Sequence, residues 1–137
     1  MSLEFVDTNV LLYAYDPSAG ARHDAARDLV GALGRERRGA LSVQVLQEFY
    51  VNATRKIAVP LAPDQARDVL RVLGRWPAHS PLAHDVLVAG QIAEEHTLSF
   101  WDAMIVRSAE QLGCAVLWTE DLNAGQRIRG LTVANPF

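Results

Sequence analysis

Two aspartates lie just beyond apolar segments that are predicted to be strands. Asp7 follows residues 3–6, and Asp121 follows residues 115–119. In an open parallel sheet, ligands bind beyond the carboxyl ends of the strands, so both carboxylates are expected at the binding edge. Carboxylates without a histidine cluster favour the hard cations Mg²⁺ and Mn²⁺, which bind oxygen, retain waters and bind substrate phosphate.

Each aspartate also has a purely structural interpretation. Asp7 is suited to cap the helix that follows it, and Asp121 is suited to a turn, because aspartate side chains accept hydrogen bonds from nearby backbone amides. Glu120 competes with Asp121 for any role at this strand end. Strand alternation places Thr119 and Asp121 on one face and Glu120 on the other, which favours Asp121 as the functional acid.

Two further acids lie on predicted helices. Asp102 completes a Ser-x-x-Asp capping box that begins at Ser99, so helix capping alone explains it. Its spacing from the apolar residues that follow also places it on the inward face, where an ionised carboxylate needs a partner or a cation. Glu48 lies opposite the apolar stripe of its helix, and this amphipathic pattern alone predicts exposure to solvent.

The basic residues limit how the chain contacts nucleic acid. The net charge is −3, and Lys56 is the only lysine. Any contact with nucleic acid must therefore come from a local arginine patch rather than from a basic field around the whole domain. Arg35, Arg37 and Arg38 form the densest basic loop and are candidates for contact with a nucleic-acid backbone. A solvated turn explains this loop equally well.

The elements that must position these side chains alternate between strands and helices. Strands are predicted over residues 3–7, 40–43, 115–119 and 131–133, and helices over residues 24–33, 43–56, 63–75, 83–96 and 99–112. Such alternation predicts parallel βαβ units and a three-layer α/β/α sandwich around a central parallel sheet. A chain of 137 residues without repeats or a linker is expected to form one domain over residues 1–137.

Several classes of protein are excluded by what the sequence lacks. No stretch is long and apolar enough to span a membrane, and the first residues do not resemble a signal peptide, so a cytoplasmic protein is expected. The single cysteine, Cys114, excludes an internal disulfide and a cysteine zinc site. A receiver domain needs a lysine late in the sheet, whereas the only lysine of this chain, Lys56, lies in a predicted helix. A haloacid-dehalogenase-type phosphatase needs Asp-x-Asp near the N-terminus and is disfavoured, because Asp7-Thr8-Asn9 has asparagine at the third position. The P-loop and the dinucleotide-binding motif are also absent.

Five short motifs, in their order along the chain, resemble those of a known family. They are FVDTN at residues 5–9, Glu48, SFWDA at residues 99–103, LWTEDL at residues 117–122 and the terminal NPF. The set resembles the PIN domain family, specifically the VapC-type toxins of prokaryotic toxin–antitoxin pairs, over nearly the whole chain. The resemblance implies a sheet of strand order 3-2-1-4-5, a homodimer, an antitoxin partner and cleavage of RNA.

The same resemblance implies the residues of an active site. The implied catalytic acids and their supporting polar residues are Asp7, Glu48, Asp102, Asp121, Asn9 and Thr119. For Glu48 the resemblance outweighs the amphipathic pattern. Such a set suits metal-assisted hydrolysis of a phosphodiester, because a bound Mg²⁺ or Mn²⁺ lowers the pKa of a water and offsets charge in the transition state.

Roles can be assigned to the acids on this basis. Asp7, Asp102 and Asp121 are expected to hold the metal. Glu48 is expected to orient a water or a second ion, and Thr119 to hydrogen-bond a phosphate or a carboxylate. The alternative is a catalytically silent PIN-like module that only binds RNA or a protein partner.

Overall fold

A computed structural model describes residues 2–137 and contains a central sheet flanked by helices. Its strands are β1 (Glu4–Val6), β2 (Gly39–Ser42), β3 (Ala78–His79), β4 (Val116–Trp118), β5 (Arg127–Ile128) and β6 (Leu131–Ala134). They lie in the order β3-β2-β1-β4-β6-β5, and every neighbouring pair is parallel except β5 with β6. The parallel strands confirm the expected α/β class and the order 3-2-1-4-5, with β6 as the fifth parallel strand.

The helices follow the strands in the alternating pattern that the sequence predicts. They are α1 (Thr8–Ala14), α2 (Ala21–Arg35), α3 (Val43–Arg55), α4 (Pro63–Leu73), α5 (Ala83–His96) and α6 (Phe100–Gln111), with a short 3-10 turn at Pro17–Ala19. Helix α1 packs against α2 and α3, and α5 packs against α6. None of the helices described between residues 2 and 137 is long and apolar enough to cross a membrane.

The differences from the sequence-based expectation concern short elements and one helix start. Strands β3 and β5 contain two residues each, which is too short for a periodic pattern to be recognised. Helix α2 begins at Ala21 rather than at residue 24, because its first turn is polar and Gly20 provides no side-chain cap. The other predicted elements end within a few residues of their observed bounds.

Strands β1 and β4 lie in the middle of the sheet, and their side chains are apolar apart from that of Glu4 at the start of β1. Phe5, Val6 and Leu117 are fully buried. A strand covered on both faces has a nearly continuous apolar sequence, which is why β4 was recognisable. Their central position matters for function, since Asp7 and Thr119, which follow them directly, emerge in the middle of the carboxyl edge.

A buried polar cluster joins α5, α6 and β3. The carboxylate of Asp85 accepts hydrogen bonds from the amide of Leu82 at 2.8 Å and from Nε of Arg107 at 2.8 Å. The imidazole of His79 lies 3.5 Å from Asp85, and its Nδ1 hydrogen-bonds to the hydroxyl of Ser108 at 2.8 Å. Ser108 is fully buried, so this Ser-His-Asp arrangement holds three elements together and presents no nucleophile to a substrate.

Replacing Asp85 by alanine is expected to lower the free energy of unfolding by about 3 kcal/mol, because Arg107 loses a buried partner and α5 loses a cap. The backbone hydrogen bond from Leu82 is the largest cause that lowers the pKa of Asp85. The stabilisation is therefore present above the unfolded pKa of about 3.9 and lost as the pH falls below it. Urea unfolding at neutral pH and near pH ~3 measures both effects.

The control for this prediction is Asp68→Ala, which removes an exposed ion pair with Arg71. Its expected cost is below about 0.5 kcal/mol, because exposed pairs are screened by solvent. A loss for Asp85→Ala that is no larger than this, or that does not change with pH, would contradict the prediction.

Candidate active site

Four acidic side chains from different parts of the chain line one open pocket at the carboxyl edge of the sheet. Asp7 follows β1, and Asp121 lies just beyond β4. Glu48 comes from α3, and Asp102 comes from the first turn of α6. The pocket has a volume of about 190 Å³, and its other lining residues are Thr8, Asn9, Leu12, Gln44, Asn52, Trp101 and Ile105. The fold thus brings together all four acids that the sequence analysis selected.

The hydroxyl of Thr119 connects Asp7 to Asp121. It donates to Oδ2 of Asp7 at 2.9 Å and accepts hydrogen bonds from Nδ2 of Asn9 at 3.2 Å and from the amide of Asp121 at 3.1 Å. Nδ2 of Asn9 also donates to Oδ2 of Asp121 at 2.9 Å. A hydroxyl has one donor and two acceptor positions, so Thr119 is saturated and its orientation is determined. The start of α1 and the end of β4 are therefore tied together beside two carboxylates.

The carboxylate of Asp7 is buried and has a hydrogen-bond donor on each oxygen. Oδ1 accepts from the amide of Thr8 at 2.7 Å, so Asp7 caps α1 as its structural interpretation predicts. Burial raises the pKa of Asp7 from 3.8 to about 7, while the hydrogen bonds from Thr119 and Thr8 oppose the rise. The charges of Asp121 and Glu48 raise this pKa further. The pocket holds negative charge at a cost that a bound cation would relieve.

Glu48 faces the pocket, although the amphipathic pattern of α3 predicts exposure to solvent. Its Oε1 accepts hydrogen bonds from the hydroxyl of Thr8 at 3.2 Å and from Nε2 of Gln44 at 3.3 Å. The amphipathic prediction is wrong because α3 packs against α1 in addition to burying its apolar stripe. Gln44, Glu48 and Asn52 are spaced four residues apart, and all three line the pocket. This polar stripe is the signal that identifies Gln44 and Asn52, which the sequence analysis missed.

Asp102 lies in the first turn of α6, and its capping role uses only its backbone. The amide of Asp102 donates to Oγ of Ser99 at 3.1 Å, so Ser99 caps the helix as predicted. The second hydrogen bond of a capping box, from the Ser99 amide to the Asp102 carboxylate, does not form between these two residues. Burial raises the pKa of Asp102, the nearby hydroxyl of Ser99 lowers it, and the charge of Asp121 raises it.

The sequence matches the family model of the PIN domain over residues 5–128. The chain belongs to the PIN domain family. No curated protein is significantly similar to it in sequence. PIN domains are typically nucleases, and they usually use a divalent metal.

Solved structures of toxin–antitoxin complexes share the fold of this PIN domain. A toxin–antitoxin complex from Klebsiella pneumoniae is 21% identical, with a TM-score of 0.71 and coverage of 98% of each chain. DNA-bound VapBC from Salmonella typhimurium is 21% identical, with a TM-score of 0.69 and coverage of 100% of both chains. VapBC2 from Rickettsia felis, bound to a promoter DNA fragment, is 21% identical, with a TM-score of 0.66 and coverage of 97% of this chain and 98% of the other.

The donor atoms of the pocket in this PIN domain fit a hydrated divalent cation. Carboxylate and amide oxygens are the ligands that Mg²⁺ and Mn²⁺ prefer. Nε2 of Gln44 donates to Glu48 and to the carbonyl of Trp101, each at 3.3 Å. Its Oε1 is buried and has no hydrogen-bond donor among the described residues. An acceptor without a donor beside four acids is suited to a water molecule.

The cation would not find a complete set of ligands already in place. Across residues 2–137, no three histidine, cysteine, aspartate or glutamate side chains form a group that could hold a metal ion. The carboxylate oxygens are instead bound by protein donors, such as Thr119 on Asp7 and Asn9 on Asp121. Mg²⁺ retains several of its waters and is commonly bound by only one or two carboxylates, so the donor types still fit it.

Glu120 turns away from the pocket, in agreement with strand alternation. Its carboxylate accepts a hydrogen bond from the hydroxyl of Tyr13 at 2.8 Å and forms an ion pair with Arg22. The guanidinium of Arg22 lies 5.5 Å from the ring centre of Tyr13 and 5.2 Å from that of Phe137. Glu120 is therefore part of a structural cluster that holds the last residue of the chain against α1.

The arginine loop lies at the opposite edge of the sheet from the acids. It connects the end of α2 to the start of β2, whose first residue pairs with Glu4 at the start of β1. Because these strands are parallel, the loop lies at their amino edge. Arg38 is already paired with Glu4 and Glu36. Arg35, Arg37 and Arg38 do not line the acidic pocket, and contact with RNA at this loop stays a prediction without support from the site geometry.

Proposed function

We propose that this PIN domain is a VapC-type toxin, an endoribonuclease that hydrolyses RNA phosphodiester bonds with a Mg²⁺ or Mn²⁺ ion held by carboxylates. One observation carries the proposal: Asp7, Glu48, Asp102 and Asp121 converge in one open pocket at the carboxyl edge of the sheet. Stability alone does not favour this convergence, because burial and, to a smaller extent, the charges of Asp121 and Glu48 raise the pKa of Asp7. Costly concentrations of charge in a cleft are typical of functional sites.

The acids divide into metal-holding and water-orienting roles. Asp7 and Asp121 would hold the metal, and Asp102 would hold it directly or through water. When bound, the metal lowers the pKa of a water and offsets negative charge on the reacting phosphate. Glu48 orients the attacking water by accepting a hydrogen bond, because the hydroxyl of Thr8 holds its carboxylate at the pocket wall.

Thr119 and Asn9 are positioning residues in this proposal. Their hydrogen bonds orient the carboxylates of Asp7 and Asp121 before any ligand arrives. Carboxylates that are already oriented lose less conformational entropy when they bind a cation. This preorganisation accounts for two uncharged polar side chains between the acids.

The proposal also includes partners, an oligomeric state and a location. The structures of similar fold are toxin–antitoxin complexes, which supports a cognate antitoxin as a partner of this chain. We further propose that residues 1–137 form a single PIN domain that acts as a homodimer in the cytoplasm. RNA is the proposed substrate, and no contact with a membrane is proposed.

Cleavage of single-stranded RNA by the purified protein tests this function. The RNA is expected to be cut with Mg²⁺ or Mn²⁺ and to stay intact with EDTA. Asp121→Asn is expected to lose cleavage, whereas Glu120→Gln, the same kind of change at the next residue, is expected to retain it. RNA binding without cleavage in either metal would favour the silent binding module. Equal losses in both variants would contradict the role of Asp121.

Mg²⁺ or Mn²⁺ is expected to raise the melting temperature by roughly 4 °C at about ten times its Kd, because the cation binds only the native pocket. The cation also offsets the cost of an ionised Asp7, whose pKa is raised mainly by burial and further by the charges of Asp121 and Glu48. Differential scanning fluorimetry with increasing metal, compared with NaCl at equal ionic strength, measures the shift. The double variant Asp7→Asn/Asp121→Asn is expected to show none. An unchanged wild-type melting temperature at millimolar metal would exclude the proposed metal site.

A further inference from the structure

Two depressions continue the acidic pocket, one on each side. The first shares three lining residues of α1 and α3 with the pocket, extends to Lys56 and has a volume of about 220 Å³. The second shares Asp102 and Asp121 with the pocket, extends to His96 and Asn123 and has a volume of about 260 Å³. The two depressions have no lining residue in common. The acids therefore lie in the middle of one groove that continues in both directions.

An exposed tryptophan forms part of the wall of this groove beside the acids. Trp101 is 65% exposed, whereas Trp76 and Trp118 are only partly exposed. Its backbone carbonyl accepts a hydrogen bond from Gln44 at 3.3 Å, which holds the residue against α3. An indole ring left in water at this position offers a surface on which an unpaired nucleobase can stack.

One end of the groove carries an unpaired positive charge. Lys56 is exposed, and its ammonium makes no ion pair with the described part of the chain. It lies two helical turns beyond Glu48 along α3, about 12 Å on the helix axis. An ammonium on this side of the acids is placed to bind a phosphate of the strand further along from the reacting one, because no acidic side chain of the described residues forms an ion pair with it.

The other end of the groove, beyond Asp102 and Asp121, carries polar amide side chains. Asn123 and Gln126 line it, and neither side-chain amide makes a hydrogen bond with the residues that the structure describes. Amide groups of this kind donate to phosphates and to base edges. The groove therefore offers an ammonium, an aromatic ring and free amides, which are the groups that bind a single nucleic-acid strand.

We infer that the groove binds single-stranded RNA across the acids, with a base stacked on Trp101 and a phosphate beside Lys56. The inference rests on the proposed function, because it names the contacts of the same substrate on either side of the reacting phosphate. The strand is single, since a base in a duplex is already stacked and presents no face to the ring. An RNA strand is favoured over a protein contact because the ring, the acids and the ammonium share one groove.

The test measures the affinity of fluorescein-labelled, mixed-sequence single-stranded RNA for the Asp7→Asn protein, which is expected to bind without cutting. In this background Trp101→Ala is expected to weaken binding about tenfold to a hundredfold, whereas Trp101→Phe retains stacking and most of the affinity. Lys56→Gln is expected to reduce the slope of log K against log salt by about 0.7, the value for one lost phosphate contact. Leu82→Ala at an exposed apolar residue and Arg71→Gln on α4, an exposed arginine that lines neither the pocket nor the two depressions, are the controls and are expected to change neither.

The outcomes separate this inference from the proposed cleavage. Unchanged affinity in Trp101→Ala together with an unchanged salt slope in Lys56→Gln overturns the groove, even if the wild-type protein cuts RNA. Binding that depends on both residues, with no cutting by the wild type, overturns cleavage and leaves the groove. A Trp101→Ala protein with normal RNA affinity but an altered mass in ultracentrifugation assigns the ring to a contact between copies. Absence of any RNA binding overturns both proposals.

Discussion

Replacing Asp7 by asparagine is expected to abolish RNA cleavage and to make the protein more stable. The variant loses a proposed metal-holding carboxylate, and several kcal/mol of lost transition-state stabilisation correspond to a rate reduction of about a thousandfold or more. The stability change has the opposite sign because the buried carboxylate is costly to ionise, which raises its pKa to about 7. An amide of the same shape carries no charge and avoids that cost.

The gain in stability is expected to depend on pH in a defined direction. In the unfolded chain an aspartate ionises near pH ~3.9, whereas Asp7 in the fold has a pKa of about 7. Wild-type stability therefore falls as the pH rises between these two values. The difference between Asp7→Asn and wild type should grow over this interval and then level off at about 2 kcal/mol, after the loss of hydrogen-bond energy from Thr119 is subtracted.

Urea unfolding in EDTA at about pH 5 and pH 8, with cleavage assays on the same preparations, measures both effects. Asp28→Asn changes an exposed aspartate away from the pocket and is the matched control, expected to alter neither quantity. An Asp7→Asn protein that is clearly less stable than wild type at the higher pH would mean that capping of α1 through Thr8 dominates the role of Asp7.

The variants Asp102→Asn and Ser99→Ala are expected to separate catalysis from helix capping. Asp102→Asn keeps the backbone amide that Ser99 caps but loses the carboxylate, so cleavage is expected to fall about a hundredfold or more while the helix is retained. Ser99→Ala removes the cap at a cost of about 1 kcal/mol and leaves the carboxylate in the pocket. Its cleavage rate is expected to stay near that of the wild type.

Both variants should be assayed at a temperature at which circular dichroism shows that they are folded. The melting temperature then reports the loss of the cap, and the cleavage rate reports the loss of the carboxylate. If Ser99→Ala loses as much cleavage as Asp102→Asn under these conditions, the carboxylate of Asp102 acts through the structure of α6 and has no direct part in the reaction.

The sequence by itself determined the features that depend on a local repeat or a local hydrogen bond. A nearly continuous apolar run identified β4, and the predicted helix over residues 83–96 coincides with α5. Alternation along β4 predicted that Asp121 and Glu120 face different sides, and the cap at Ser99 follows from its side chain. These signals are reliable because each involves residues within one turn or one strand.

The tertiary structure alone decided which side chains meet. The periodicity of α3 identified its apolar stripe but not its contact with α1, so the pattern placed Glu48 in solvent and only the family resemblance placed it with the other acids. The composition of the arginine loop suggested an RNA contact, but the parallel direction of β1 and β2 puts Arg37 at the edge opposite the acids. Strand direction and helix packing bring together residues that are distant in the chain, and local periodicity in the sequence does not predict such contacts.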